Sequence, residues 1–406
     1  MANKRKIIND PVFGFITIPN EFLFDVLQHP FVERLTRIRQ MGLSFYVYPG
    51  ATHTRFLHSI GAMHLMQEAV AGLRMKGIDI SHNESIAAYT AILLHDIGHG
   101  PFSHVLEHTL IKGISHEQVS LCMMQKINEQ MNGQLDLAIK MFTGNYNRRF
   151  FHQLISSQLD MDRLDYLCRD AFFCGVSEGM VGSARILKML DVKDDRLVVE
   201  QKGIYSVEKF LVARRLMYWQ VYLHKTSVAA EQQLIKILQR AIFLARNGKQ
   251  LFASPALKFF LYNSINYNDF FSSDEPLSNY ALLDDSDILT AIKVWSESDD
   301  MVLRLLCEAF QNRLLFKVRQ LEKPLSKDEI EHLEADYVNR FHISADEARF
   351  LYSIHSVSKD TYSPEDDQID ILFRDGTTKD IAEASDMLNL QILTKHVEKH
   401  YLFYCV

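Results

Sequence analysis

The chain has 406 residues, 47% of them apolar and 23% charged. That is a folded composition rather than a disordered one, and the length points to one large domain plus a smaller one. The net charge of -7 excludes a nucleic-acid binder that relies on an overall basic surface, but it leaves a local basic pocket open.

The start, MANKRKIINDPVFG, holds no apolar run of signal-peptide length, and MANKRK reads as a short solvated tail. No stretch reaches the uncharged apolar length that spans a bilayer. Cys122, Cys168, Cys174, Cys307 and Cys405 form no Cys-x-x-Cys pair, so neither a zinc ribbon nor a thioredoxin-like site is expected. Their odd number and irregular spacing read as reduced thiols, and the expected compartment is the cytoplasm.

In chain order, EFLFDVLQHPFVERLTRIRQMG has helical periodicity and predicts a helix ending at Gly42. FLHSIGAMHLMQEAVAGLRMKG predicts a second, stopping at Gly77. A buried helix is expected over Asn83–Ile97, where SIAAYTAILL is nearly all apolar or small, and Gly98, Gly100 and Pro101 break it. Further helices are expected over 115–131, 148–170 and 205–245. Arg196–Gly203, RLVVEQKG, reads as the first arm of a small hairpin. Beyond residue 245 the chain turns polar, acidic and turn-rich, which suits loops between short helices. Ser326 and Glu329 have capping-box spacing. QIDILFRDGTTKD alternates before Asp375-Gly376, a hairpin turn signal, and HYLFYC reads as a last strand. The expected fold class is therefore mainly all-α. A helical domain with a small β-hairpin covers 1–245, and an α-rich lobe with a few short strands covers 246–406.

The chemistry concentrates in HDIGHGPFSH, His95 to His104. His95 and Asp96 follow the buried helix and point about 100° apart, so both reach one ion only if it lies between those directions. Imidazole with carboxylate suits a divalent first-row metal. Further ligands must come from elsewhere, and the candidates are His58 and an aspartate of LDMDRLDYLCRD. That segment holds Asp160, Asp162, Asp165 and Asp170, and the Leu159, Leu164 and Leu167 stripe leaves the choice among the first three open. Taken alone, the segment reads as a solvated acidic helix face. The His-rich stretch does not, because His95, Asp96, His99 and His104 are costly to bury without partners. His64, His82, His108 and His152 read as ordinary surface or core residues. Ser120 stands where a metalloprotease would place its second histidine after His116-Glu117, and no phosphate-binding glycine loop is present.

These residues resemble the HD-domain metal-dependent phosphohydrolase superfamily, whose signature is a His, a His-Asp doublet and a distant Asp. YVYPGATHTRFLHSIG, LLHDIGHGPFSH, SHEQ, LDMDRLDYLCRD and RRLMYWQVYLHK resemble, in order, its deoxynucleoside-triphosphate triphosphohydrolase (dGTPase-like) branch, over roughly the first 230 residues. The resemblance implies metal ligands His58, His95, Asp96 and Asp162. It puts His116 at the catalytic histidine, with Glu117 as its orienting partner. His99 and His104 fall where the family contacts the α-phosphate and the sugar-base region. Arg55, Arg163, Arg214 and Lys225 match positions that hold the triphosphate. Gln40, Tyr166 and Asp170 match those that read the 3′-hydroxyl, and Tyr222 the residue packed under the sugar. Arg163 replaces a common lysine, and Tyr218 and Leu223 replace polar residues near the base.

The implied cofactor is one divalent transition metal (Fe, Mn, Zn, Co or Ni), with additional magnesium as an option. The implied reaction converts a dNTP and water to deoxynucleoside and triphosphate. The implied assembly is a homo-oligomer, dimer or tetramer, with deoxynucleoside triphosphates as partners and no membrane; nucleic acid is not indicated. Two alternatives compete: another HD phosphohydrolase acting on nucleoside monophosphates or cyclic nucleotides, and a non-catalytic protein that binds nucleotides or single-stranded nucleic acid.

Overall fold

A computed structural model describes residues 6–102, 104–359, 368–386 and 397–406. Residues 1–5, the start of the expected solvated tail, lie outside that range.

The fold is helical with few short strands. At its centre the helix His82–Leu94 is buried almost all round, from Ala87 to Leu94, as an apolar helix with no polar face must be. Ser81 and Glu84 form a capping box at its start, and His95 stands at its C-cap. The helix Arg55–Met75 packs against it on one side and against Met161–Cys174 on the other. Gly61 permits the second approach. A Cβ there would lie 2.0 Å from the Arg169 guanidinium and from the Asp165 carboxylate. Three of the elements that carry the site residues thus meet around Arg55–Met75.

Three expected helices are broken. Residues 21–42 split into Glu21–Leu27, Pro30–Glu33 and a tight turn at Arg34–Arg37, because Pro30 removes an N–H and holds His29 extended. Residues 148–170 split into Arg149–Ile155 and Met161–Cys174. There the Asp160 carboxylate accepts the N–H groups of Ser157 (2.8 Å) and Arg163 (2.7 Å), which starts a new helix. Residues 205–245 run as Ile204–Leu216, a π-helical turn at Met217–Tyr222, and Lys225–Arg246.

RLVVEQKG contributes the second arm of its hairpin, not the first. Leu190–Lys193 pairs antiparallel with Arg196–Glu200 across Asp194 and Asp195, both at positive φ. A hairpin of Lys6–Asp10 with Gly14–Ile18 was not expected. The Asp375-Gly376 turn does join two antiparallel strands, Asp370–Leu372 and Thr378–Asp380. Val397–Tyr404 lies between Lys317–Leu321 and Tyr352–Lys359. Asp370–Leu372 also pairs in parallel with Arg196–Glu200, Val199 opposite Ile371, so stretches on both sides of residue 245 share one sheet. No helix among the described residues is long and apolar enough to cross a membrane.

Candidate active site

His58, on Arg55–Met75, is fully buried. Its Nε2 lies 3.4 Å from Nε2 of His95 and 3.1 Å from Oδ1 of Asp162. His95 Nε2 is 3.4 Å from Asp162 Oδ1 and 3.4 Å from Asp96 Oδ1, and His58 Nε2 is 3.7 Å from Asp96 Oδ2. Ligand atoms bound at the usual 2.0–2.2 Å around one ion sit roughly 3 to 3.6 Å apart. The outer ring nitrogens are engaged as a metal site requires. His58 Nδ1–H donates to Asp165 Oδ2 (2.7 Å) and His95 Nδ1–H to the Ile92 carbonyl (2.6 Å), leaving both Nε2 lone pairs inward. The donor set therefore fits a divalent ion, and His58, His95 and Asp162 form a group that could hold one.

Electrostatics agree. Burial would push the His58 imidazole down, but hydrogen bonds to Asp162 and Asp165 outweigh it and raise the group to about 10, so its Nε2 holds a proton that a bound ion would displace. Burial would likewise raise Asp162, yet His58 and His95 hold it far below the usual carboxylate range. These groups demand positive charge at their centre.

Behind His58, Asp165 takes both ends of the Arg169 guanidinium at 2.9 Å, and Arg169 Nη1 donates to Asp10 Oδ2 at 2.6 Å. All three side chains are fully buried. Asp10 comes from the unforeseen N-terminal hairpin, so that hairpin braces the cluster through two links.

Beside Asp96, Arg55 donates from Nη1 to Oδ2 at 2.7 Å, and His99 Nε2 lies 3.4 Å from Oδ1. The His99 and His116 rings stack at 3.8 Å between centroids. Burial and the Arg55 charge push His99 down to about 3, so it is neutral. His116 opens the helix His116–Gln130. Its Nδ1–H donates to Glu107 Oε1 at 2.8 Å. Glu117, expected as the orienting carboxylate, is exposed instead. Gly98 makes the stacking feasible: a Cβ there would lie 2.1 Å from the His116 carbonyl, and its N–H donates to Ser120 Oγ at 2.9 Å.

A cavity of about 520 Å³ adjoins the cluster through Arg55 and is also lined by Gln40, Tyr166, Asp170 and Tyr222. Tyr222 donates its hydroxyl to Asp170 Oδ2 (2.8 Å), and His53 Nε2–H donates to Asp170 Oδ1 (2.7 Å). His53 is buried, stacked on Phe173, and had no sequence signal. His355, Ser356 and Val357, from beyond residue 245, form part of the wall. Tyr218 and Leu223 line it as well.

The remaining expected contacts fall elsewhere. Arg163 pairs with Asp160, and Arg214 is buried with Nη1 on Gln158 Oε1 at 2.8 Å. Neither lines the cavity, and Lys225 is exposed at the start of its helix, also outside the lining. Polar atoms that the resemblance assigned to a triphosphate are thus partly engaged by protein groups. His104 opens the short helix His104–Glu107, and its side chain lies outside the described residues.

A helical core in which a lone His, a His-Asp doublet and a distant Asp meet at one point is the HD-domain arrangement. Residues 55–170 match the family model of the HD domain, and residues 181–252 that of the HD associated region. A phosphohydrolase of known structure from Bacteroides thetaiotaomicron is 58% identical, with a TM-score of 0.96 over 99% of this chain and 100% of that one. The uncharacterized protein YwfO of Bacillus subtilis is 29% identical over 99% of this chain and 92% of its own. Human SAMHD1, named as a deoxynucleoside triphosphate triphosphohydrolase, is 28% identical over 55% of this chain and 42% of its own. The chain belongs to the HD-domain phosphohydrolases.

Proposed function

We propose that the protein hydrolyses deoxynucleoside triphosphates to deoxynucleoside and inorganic triphosphate, using one divalent metal held by His58, His95, Asp96 and Asp162. The observation that carries this reading is the single cavity lined by Gln40, Arg55, Tyr166, Asp170 and Tyr222, in which Arg55 also bonds Asp96. The names of SAMHD1 and of its Dictyostelium discoideum homologue, 29% identical over 56% of this chain and 47% of its own, support the substrate class.

When bound, such an ion polarises a phosphoryl oxygen and lowers the pKa of water. The protein's own groups do the rest. Arg55 meets the phosphates. Asp170, held by His53 and Tyr222, accepts the 3′-hydroxyl. The Tyr222 ring crowds C2′, so a ribose hydroxyl is disfavoured. His116, with Nδ1–H fixed on Glu107, presents Nε2 to protonate the departing 5′-oxygen. The neutral His99 ring against it lets His116 carry that proton without like-charge repulsion. Arg163, Arg214 and Lys225 serve the triphosphate tail only after their side chains turn toward it. The reading includes a catalytic part over 1–245, a lobe over 246–406 that closes the cavity, and a cytoplasmic homo-oligomer, dimer or tetramer.

The test is a product assay. Stripped protein receives Mn²⁺, Fe²⁺ or Mg²⁺ and each dNTP, alone and mixed. Deoxynucleoside with intact triphosphate is the expected result. Monophosphate or free phosphate would transfer the protein to another class of HD phosphohydrolase, and binding without product to the non-catalytic reading.

A further inference from the structure

Three consecutive carbonyls in the loop after Asp96 are gripped by side chains from outside that loop. The Arg34 guanidinium donates from Nη1 to the carbonyls of Ile97 and His99, both at 2.8 Å. The Tyr280 hydroxyl donates to the carbonyl between them, that of Gly98, at 2.8 Å. The two side chains also support one another, with the guanidinium over the Tyr280 ring at 5.3 Å. Gly100 leaves Tyr280 space, since a Cβ there would lie 2.7 Å from the Tyr280 hydroxyl. Arg34 sits in the tight turn Arg34–Arg37, and Tyr280 on the helix Asp274–Leu282. Both are buried, Arg34 to 1% exposure and Tyr280 to 2%. Filling that space with an apolar side chain would avoid the cost of burying a guanidinium. What an apolar side chain cannot supply is two N–H donors to the carbonyls on either side of that of Gly98.

We propose that Arg34 and Tyr280 are positioning residues that hold the Asp96–His99 loop in register with the metal ligands and with His116. Tyr280 is then one means by which the chain beyond residue 245 acts on the site, beside the cavity wall formed by His355 to Val357. The proposal rests on reading the His58, His95, Asp96 and Asp162 cluster as a metal centre. The loop is fixed on its other side by the Gly98 N–H on Ser120, so its peptide planes have donors and acceptors satisfied from both directions. Asp96 and His99 flank those planes, and a tilt of the planes moves both.

Tyr280→Phe and Arg34→Lys are compared with Tyr337→Phe. Tyr337 is a matched control: it is equally buried, and its hydroxyl donates to the Cys405 carbonyl at 3.0 Å, outside the loop. Three quantities are measured: the Mn²⁺ affinity of the stripped protein by electron paramagnetic resonance, amide hydrogen exchange of the 95–102 segment, and kcat and KM for dNTP. Tyr280→Phe and Arg34→Lys are expected to weaken Mn²⁺ binding and lower kcat about tenfold, as partners behind metal ligands do. KM stays within about twofold, exchange in 95–102 quickens, and Arg34→Met falls further than Arg34→Lys. Tyr337→Phe changes none of these. If Tyr280→Phe matches Tyr337→Phe in Mn²⁺ affinity and loop exchange, the proposal is overturned. Should Arg34 variants not fold, Tyr280→Phe alone decides. Should the parent bind Mn²⁺ but release no product from any dNTP, the functional reading fails, and the affinity and exchange data still judge the grip on the loop.

Discussion

His116 takes its orienting carboxylate from Glu107, nine residues earlier, across the turn that follows HDIGHG. Replacing Glu107 by Gln keeps the shape but weakens the charge-assisted bond that fixes the ring. We expect kcat to fall roughly 10- to 100-fold with Mn²⁺ affinity unchanged, while Glu117→Gln stays within about twofold. Equal losses in the two variants would remove Glu107 from that role. Adjacency in sequence misleads here because neighbouring residues of a helix point about 100° apart, and Glu117 follows His116 outward into solvent. Asp160, Asp162 and Asp165 show the same separation of roles. Spacing left all three open, whereas the structure uses the first as a helix cap, aims the second at the imidazoles and sets the third behind His58. His53 on Asp170 had no signal at all: with 17 histidines and 51 acids in the chain, partners brought together from distant segments are not readable one by one.

The elements that carry these residues have their own vulnerabilities. The helix ending at the His-Asp doublet begins with a capping box, and its Glu84 carboxylate also accepts from Tyr146 (2.9 Å) and Arg148 (2.7 Å). Burial would raise this carboxyl, but Arg148, Ser81 and Tyr146 hold it at about 2. A folded pKa below the unfolded one gives stability that is complete above about 4.5 and is lost as pH falls toward 2. Glu84→Gln should therefore destabilise the protein by about 1 kcal/mol at pH 7, the scale of a helix cap, with the gap closing in acid. Denaturant titrations of both proteins across pH 2 to 7 would measure it, and a gap that ignores pH would remove the charge from the account. Gly98 is the other sensitive point. Ala there meets backbone at the His116 carbonyl, which cannot swing aside, so Gly98→Ala should cost more than about tenfold in kcat while circular dichroism stays helical. The helix positions themselves were legible from periodicity, and their breaks had local causes in Pro30 and Asp160. The π-helical turn at Met217–Tyr222 had no such local signal; Tyr222, at its end, bonds Asp170 on another helix.

At the scale of the whole molecule, composition shifts near residue 245 suggested a boundary that the packing crosses repeatedly. Ile371 is fully buried opposite Val199 in the parallel pair, Tyr280 reaches the Asp96–His99 loop, and His355 to Val357 line the cavity beside Arg55. The buried apolar side chains on both sides belong to one cluster. The change of composition there is legible in the sequence; the crossings are not, because a parallel strand pairing 172 residues apart leaves no trace in local pattern. A shared core and a shared sheet predict cooperative unfolding. Calorimetry should show a single transition whose calorimetric and van't Hoff enthalpies agree. Ile371→Ala, which removes buried methyl groups at the junction, should cost about 2–5 kcal/mol and lower that one transition as a whole. Mn²⁺, binding only the folded cluster, should raise the same transition with concentration. Two resolved transitions, only one of them moved by Mn²⁺ and only the other by Ile371→Ala, would instead make residues 246–406 an autonomous unit, and the grip of Tyr280 on the Asp96–His99 loop a contact between domains.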